Sequence, residues 1–280
     1  MRLGGKIFES YSSAEEWALA VKRKGYQTAL APVSYTASDR EIESYKQAAK
    51  EHDIVIGEVG IWNNIMHVDK NIRESNRLTA LRCLELAEEL EACCCVNVAG
   101  SYNDKVWYGP HPDNFSEKMY EEVVSSIQYL IDRIKPRKTS YTLEPSPWMF
   151  PDSIEAHEQL IKDIDREAFG VHFDPVNMMF TPKIYFENGG FIKEAIDRLG
   201  KYIKSCHVKD VFMDETFTIY IRECNPGEGI FDYDTFIKEI DRLNPEMPVF
   251  IEHMESEEEY DIAAAYVTRK MKEMKCQKTS

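Results

Sequence analysis

Eight short apolar, β-rich runs alternate with eight longer amphipathic stretches along this 280-residue chain, and few architectures accept that order. The runs are Leu3–Phe8, Thr28–Val33, Ile54–Val59, Cys93–Ala99, Ser140–Glu144, Gly170–Asp174, Ile203–Lys209 and Val249–His253. Helical patterns lie between them. Ala14–Lys24 opens after the capping pair Ser12-Ser13, Asp39–His52 follows Ser38, and Asn71–Leu90 is the longest. Ser116–Ile134 stops before Lys135-Pro136, and Ser153–Asp163, Phe191–Leu199, Asp234–Leu243 and Glu257–Met274 complete the set. The alternation predicts an α/β fold, a single (β/α)8 TIM barrel over residues 1–280. A doubly wound open sheet is the competing arrangement, but the first strand–helix turn lacks G-x-G-x-x-G and no Walker A motif occurs.

Connection lengths orient the barrel. The links from helix to following strand are tight, at Lys135–Lys138, Asp165–Ala168, Gly200–Tyr202 and Asn244–Pro248. Three links from strand to helix, Gly100–Phe115, Pro175–Gly190 and Val211–Asp232, run to roughly 15–20 residues, a length usually reserved for function. In a barrel these loops share one mouth, where active sites lie.

Composition narrows the partners. Forty-three per cent hydrophobic residues suffice for a sizeable core, and a net charge of −15 argues against nucleic acid or anionic lipid as a partner. No run is long and apolar enough to span a bilayer, and Met1–Lys6 leads into polar Glu9–Ser13 rather than a signal-peptide core. The seven cysteines are an odd number, three of them consecutive at Cys93–Cys95, and no C-x-x-C pair occurs. Reduced thiols packed in a strand fit that pattern, and with it a cytoplasmic location.

The strand ends carry the chemistry. The fifth run ends in Glu144, the sixth in Asp174, the seventh in His207 and Lys209, and the eighth in Glu252. Charged residues are expensive in strands buried on both faces, so four consecutive cases form a constellation rather than noise. Converging on the barrel axis, three carboxylates repel unless a cation or protons intervene. With one imidazole they make an O3N ligand set suited to Mn²⁺ or Mg²⁺ and tolerant of Zn²⁺ or Co²⁺. The competing reading is structural: each carboxylate caps a helix or pairs with Lys209 or Arg222.

The segments TLEPSPW, GVHFDPVNM, IKSCHVKDV, NPGEGIFDY and VFIEHM make the whole chain resemble the xylose isomerase-like, or sugar phosphate isomerase/epimerase, superfamily of TIM barrels. That superfamily holds ketose 3-epimerases, inosose dehydratases, hydroxypyruvate isomerases, xylose isomerases and the endonuclease IV family. The resemblance implies that Glu144, Asp174, His207 and Glu252 bind one divalent metal, with manganese the first expectation. It also implies that Glu144 and Glu252 exchange protons with opposite faces of a carbohydrate. Relatives pair or form tetramers, which leaves room for a homo-oligomer, although no exposed apolar helix face marks an interface.

Departures from the family narrow the choice. Endonuclease IV places extra ligands where this chain has Asn177, Ile221 and Glu223, so abasic-site cleavage is disfavoured. No second ligand set supports a two-metal hydride shift. The ketose 3-epimerases place a substrate-binding His and Arg at the positions of Asn177 and Met213, which argues against a free ketohexose. What remains is isomerisation or epimerisation by proton transfer through a metal-stabilised enediolate. The alternative is a lyase or dehydratase acting by β-elimination on an oxidised sugar, inosose or 3-keto-glycoside. A catalytically silent binding barrel is a third reading, weakened by the intact ligand candidates.

Neighbouring residues are ranked by strand alternation. His172 shares the inward face with Asp174 one layer lower, as a core histidine supporting the ligand or a substrate contact. Lys209 shares the face of His207, and three nearby carboxylates should hold its pKa high, favouring substrate binding over a Schiff base. Glu58, Asn97, Asn177 and Arg222 are further substrate-binding candidates, with capping or ion pairing the alternative for Glu58 and Asn97. Trp62, Trp107, Tyr108 and Trp148 fall in mouth loops, where they either stack on a sugar or pack the loops together. His253 should face away from Glu252 as a structural residue, and Asn225–Gly229 reads as a turn entering the next helix.

Overall fold

The computed structural model describes residues 1–278. Among them, eight parallel strands form one sheet that curls into a nearly closed barrel. The strands are β1 (Arg2–Gly4), β2 (Thr28–Leu30), β3 (Val55–Gly60), β4 (Cys94–Asn97), β5 (Ser140–Leu143), β6 (Phe169–Phe173), β7 (Ile203–Val208) and β10 (Pro248–Ile251). An antiparallel hairpin of β8 (Asp210–Met213) and β9 (Ile221–Cys224) stands apart from the barrel. Around the ring the order is β1-β10-β7-β6-β5-β4-β3-β2, every neighbouring pair in parallel register.

The ring closes between β1 and β2 through the Gln27 N–H, which donates to the Leu3 carbonyl at 2.9 Å. Gly4 permits this approach. A Cβ there would stand 2.5 Å from the Thr28 carbonyl oxygen and 2.8 Å from the Phe250 ring. The first strand is therefore shorter than the expected Leu3–Phe8, and Lys6 reaches the mouth instead.

The helices outside the barrel are α1 (Ala14–Arg23), α2 (Asp39–Glu51), α3 (Lys70–Leu90), α4 (Glu117–Ile134), α5 (Ile154–Ile164), α6 (Pro182–Phe186), α7 (Asn188–Leu199), α8 (Tyr233–Leu243) and α9 (Glu257–Lys278). Side-chain caps set where they start. Ser13 accepts from the Glu16 N–H, Ser38 from Glu41, Ser116 from Met119 and Ser153 from Ala156, which is why these boundaries fall within a residue or two of the sequence pattern. Their apolar stripes pack on the strands in two cores, one against β2–β5 and one against β6, β7 and β10. Cys94 and Cys95 are buried in β4, and Cys83, Cys93 and Cys206, like them, are free thiols. No helix among the described residues is long and apolar enough to cross a membrane.

Two of the long connections are not open loops. The segment Val211–Asp232 folds back as the β8–β9 hairpin, and Pro175–Gly190 contains α6, whose start is fixed by Thr181 and Pro182. Both sit at the mouth, above the ends of β6 and β7.

One buried base lies in the helical layer. His157 of α5 donates Nδ1–H to the Ser153 carbonyl at 2.9 Å, while its Nε2 has no partner. Burial lowers its pKa to about 4. The unfolded chain therefore takes up a proton that the folded chain refuses between about pH 6.5 and pH 4. His157 stabilisation is complete above about pH 6.5 and is lost as the pH falls through that window, by about 3 kcal/mol in all. Urea titrations of wild type and His157→Gln across that range should show the acid-side loss of stability shrink in the variant. Parallel curves would show that this histidine does not titrate as its burial requires.

Candidate metal centre

Four side chains meet at the C-terminal mouth. Glu144 follows β5, its N–H donating to the Asn97 carbonyl at 2.9 Å, and Asp174 follows β6. His207 is the fifth residue of β7, and Glu252 follows β10. One ligand atom from each lies within 4.8 Å of all the others. An octahedral cation with oxygen ligands at about 2.1 Å sets them about 3.0–4.2 Å apart, a spread that this bound accommodates.

The imidazole faces two ways. Nδ1 of His207 is 2.9 Å from Glu252 Oε2 and 3.5 Å from Glu144 Oε1, without an aligned hydrogen bond to either. On the other side, Nε2 contacts Glu58 Oε2 at 3.3 Å. A carboxylate behind a histidine fixes its ring: Glu58 holds the Nε2 proton, and Nδ1, facing the other carboxylates, is the nitrogen a cation would take in exchange for a proton. Asp174 Oδ2 likewise has no aligned hydrogen-bond partner, while Oδ1 accepts from the Val176 and Asn177 N–H groups at 3.0 and 3.2 Å. A buried ring nitrogen and a buried carboxylate oxygen, neither with an aligned hydrogen bond although each is in ionic contact, meet two further carboxylates in a donor set that fits a hard divalent cation.

Electrostatics agree with that fit. Burial works against charge on His207, but Glu252, Glu58 and Glu144 outweigh it and raise its pKa well above the usual value. Burial would raise the Glu252 carboxyl, yet His207 and Lys209 hold it well below the usual range. For Asp174 burial wins and the pKa rises to about 7, with Lys209 opposing. The cluster is thus built around a demand for positive charge.

Lys209 meets part of that demand. Just beyond β7 and 1% exposed, it places Nζ 2.8 Å from Asp174 Oδ2, 2.5 Å from Glu252 Oε1 and 3.2 Å from Glu223 Oε2. Burial lowers its pKa, but Asp174 and Glu252 more than offset this and keep the ammonium charged. The structural reading of the strand-end acids therefore holds for part of the set: Asp174 also caps a turn, and Asp174 and Glu252 pair with Lys209. Arg222 pairs with none of them. It is exposed on β9, 3.4 Å from Asp214, on the wall of the mouth cavity.

The remaining candidates divide by depth. Glu58 is 1% exposed because β3 continues to Gly60, which drops its side chain a layer below the mouth. Its carboxylate lies between His207 and His172, 3.4 Å from His172 Nδ1. His172 is paired with Ser205 Oγ at 2.6 Å and packs edge-on to His207 at 4.0 Å, so it braces the imidazole rather than Asp174. Asn97 is buried and holds the Asn63 backbone from both sides, accepting at 3.3 Å and donating at 3.1 Å. Asn177 donates Nδ2–H to Glu144 Oε1 at 2.8 Å. Trp148 donates Nε1–H to the Tyr108 carbonyl at 2.6 Å and lines the mouth with Trp62, Trp107 and Tyr108.

Two residues at the rim escaped the sequence pattern. His253 was expected on the outer face, but β10 ends at Ile251 and His253 has φ 64°, so alternation no longer applies. Its ring turns to the mouth, with Nδ1 2.9 Å from Glu223 Oε2 and Nε2 3.4 Å from Glu252 Oε2. Glu223 comes from the hairpin. Burial raises its pKa, but His253 and Lys209 lower it further, and it raises His253 in return. The polar Asp214-Glu215-Thr216 between the apolar run Val211–Met213 and the β-rich Phe217–Ile221 is the signal that would have revealed the hairpin. Behind the rim, Asp210 accepts N–H bonds from Val211, Gly227 and Phe231 at 2.8–2.9 Å, fastening the Asn225–Gly229 turn beside Lys209.

The chain is a TIM barrel whose strand ends bring together three carboxylates and an imidazole that could hold a metal ion. The chain matches the family model for xylose isomerase-like TIM barrels over residues 19–270 and belongs to that family. Its fold is similar to 3-keto-D-glucoside 4-epimerase from E. coli, at 16% identity over 96% of this chain and 99% of the other, with a TM-score of 0.69. D-psicose 3-epimerase from Clostridium cellulolyticum H10, solved with D-tagatose, is similar at 15% identity over 98% and 99%, TM-score 0.69. A xylose isomerase-like TIM barrel protein from Mycobacterium smegmatis, solved in complex with magnesium, is similar at 18% identity over 96% and 92%, TM-score 0.64. No curated protein sequence matches the chain.

Removing the Lys209 ammonium leaves Asp174 and Glu252 buried without it. Lys209→Met should cost about 3–5 kcal/mol of unfolding free energy at neutral pH in chelator, measured by urea denaturation. A loss below about 1 kcal/mol would mean that the ion pair contributes little to the fold.

Proposed function

We propose that the protein is a divalent-metal-dependent isomerase or epimerase that moves a proton on the carbon beside a carbonyl group of a sugar or cyclitol. The observation that carries this reading is the convergence of Glu144, Asp174, His207 and Glu252 on one point at the barrel mouth. These four would hold the ion, with manganese the first expectation for an O3N set. When bound, a divalent cation supplies electrophilic stabilisation to a carbonyl oxygen and its neighbouring hydroxyl.

The chain's own residues supply the rest. Glu144 and Glu252 arrive from β5 and β10, separated in the ring by β6 and β7, and so approach a bound substrate from two sides. One carboxylate takes the proton, leaving an enediolate on the substrate. The other returns a proton to the opposite face, which is epimerisation, or to the adjacent carbon, which is isomerisation. Asn177 orients Glu144 by its hydrogen bond, and Lys209 and His207 keep Glu252 ionised and able to accept. Lys209, held as an ammonium by Asp174, Glu252 and Glu223, positions those carboxylates and is a poor Schiff-base nucleophile. Trp62, Trp107, Tyr108 and Trp148 give a sugar ring apolar faces to lie on. The sugar epimerases among the similar folds, and the neighbour that carries magnesium, support this reading.

The test begins with metal per chain after chelator-free purification. Wild type should carry about one equivalent of manganese or a similar ion, and His207→Ala should lose it. Ketoses, inososes and 3-keto-glycosides are then incubated in D2O and followed by NMR. A deuterium-labelled isomer of unchanged formula is the expected product, with Glu144→Gln slowing exchange at least about 100-fold. Loss of water or of an aglycone would replace this reading with β-elimination by a lyase. Failure to take up Mn²⁺, Mg²⁺, Co²⁺ or Zn²⁺, together with no proton exchange, would overturn it.

A further inference from the structure

Exposed apolar side chains gather on one projecting element. The β8–β9 hairpin pairs Val211 with Glu223, Phe212 with Arg222 and Met213 with Ile221, and the Asp214 N–H extends the ladder to the Tyr220 carbonyl at 2.9 Å. Alternation sends Val211, Met213, Ile221 and Glu223 toward the barrel, where Val211 is buried and Glu223 meets Lys209. It sends Phe212, Asp214, Tyr220 and Arg222 to the outer face. Phe217 at the tip is fully exposed, Tyr220 and Ile219 are 58% and 55% exposed, and Phe212 is 36% exposed. The five residues Phe217–Ile221 carry no charge, in a chain of which 30% is charged.

The apolar surface continues beyond the hairpin. The Ile230 N–H donates to the Val211 carbonyl at 3.1 Å, and the Ile230 carbonyl accepts from Asn188 Nδ2–H at 3.1 Å. Asn188 also donates to the Tyr185 carbonyl at 2.9 Å, next to Phe186 at the end of α6. Ile230 is 43% exposed and Phe186 68%. At about 200 Å² for a fully exposed large side chain, these six residues offer about 700 Å² per copy. The largest apolar patch on a typical monomer is about 300–600 Å², and a stable dimer covers about 800 Å² on each partner.

Charge selects the occupant. The outer face carries one anion, Asp214, and one cation, Arg222, 3.4 Å apart on opposite strands. A two-fold axis lying in the plane between two such faces brings each charge within reach of its opposite on the other copy. The chain as a whole carries −15, so two copies meet with least repulsion where the charges balance. We infer that the protein pairs with a second copy of itself through the outer face and tip of the β8–β9 hairpin, each copy covering the apolar patch of the other. A two-stranded hairpin is marginally stable alone, and face-to-face packing of two supplies the second layer. The pairing also steadies the strand that carries Arg222 and Glu223, so the wall of each mouth is held by contacts between two chains. None of this depends on the chemistry assigned to the metal centre.

Analytical ultracentrifugation of the full chain tests the pairing. Wild type should sediment as a dimer at about 20 μM, and Phe217→Asp should raise the dissociation constant at least about 100-fold. That substitution alters only an exposed side chain, so circular dichroism should show the fold unchanged. Asp214→Arg and Arg222→Asp each break the pair within the hairpin and set like charges across the axis, so each alone should be monomeric. Mixed in equal amounts they should form a heterodimer, because every charge crossing the axis then meets its opposite while the pair within each hairpin stays broken. A wild-type monomer at that concentration would overturn the inference. A dimer unmoved by Phe217→Asp would place the interface elsewhere and overturn it as well. Failure of the two folded charge variants to pair with each other would overturn the two-fold, face-to-face arrangement.

Discussion

The structure depends on a charge balance that water does not help to maintain. Glu144, Asp174, Glu252 and Glu58 converge on one imidazole and one ammonium at the end of a barrel. Such a set is stable only if every charge has an opposite within contact distance. Lys209 and His207 supply two positive centres, and the surplus of carboxylate creates the demand that a divalent cation would meet. The barrel makes the concentration of charge affordable, because each acid sits at or just past the end of a strand whose other residues are apolar.

Beneath the ligand set the barrel is not a plain hydrocarbon core. Glu58, His172, Ser205 and Cys94 form a buried polar column, linked by Ser205 Oγ at 2.6 Å from His172 Nδ1 and 3.1 Å from Cys94 Sγ. The column terminates on the back of His207. A ligand histidine held by a carboxylate on one edge and another imidazole across its face has little rotational freedom, so the geometry above it is set from below.

How much of this was legible follows from physical range. Glu144, Asp174, His207 and Glu252 stood out because a charge at the end of an apolar run is costly wherever it lies, and period-two alternation placed them inward. Helix starts were equally plain, since Ser13, Ser38, Ser116 and Ser153 cap within three residues of themselves. Glu58 and His253 were harder. Their depth and direction depend on β3 continuing to Gly60 and β10 stopping at Ile251, a matter of one or two residues that propensity does not resolve. Glu223 was hidden for another reason: its contact with Lys209 exists only because a hairpin folds the chain back, a tertiary event with a weak local signal.

The adjacent pair Lys209-Asp210 carries a consequence for how the mouth is anchored. One side chain reaches down to Asp174 and Glu252, and the next gathers the backbone of the Asn225–Gly229 turn through Gly227 and Phe231. A Cβ at Gly229 would collide with the Asp210 carboxylate and the Val211 carbonyl, so the turn lies flush against its anchor. The seating of the turn and the position of the buried ammonium are thus set by the same two consecutive residues, so the hairpin's return and the charge beneath Glu252 share one short stretch of backbone as their common anchor.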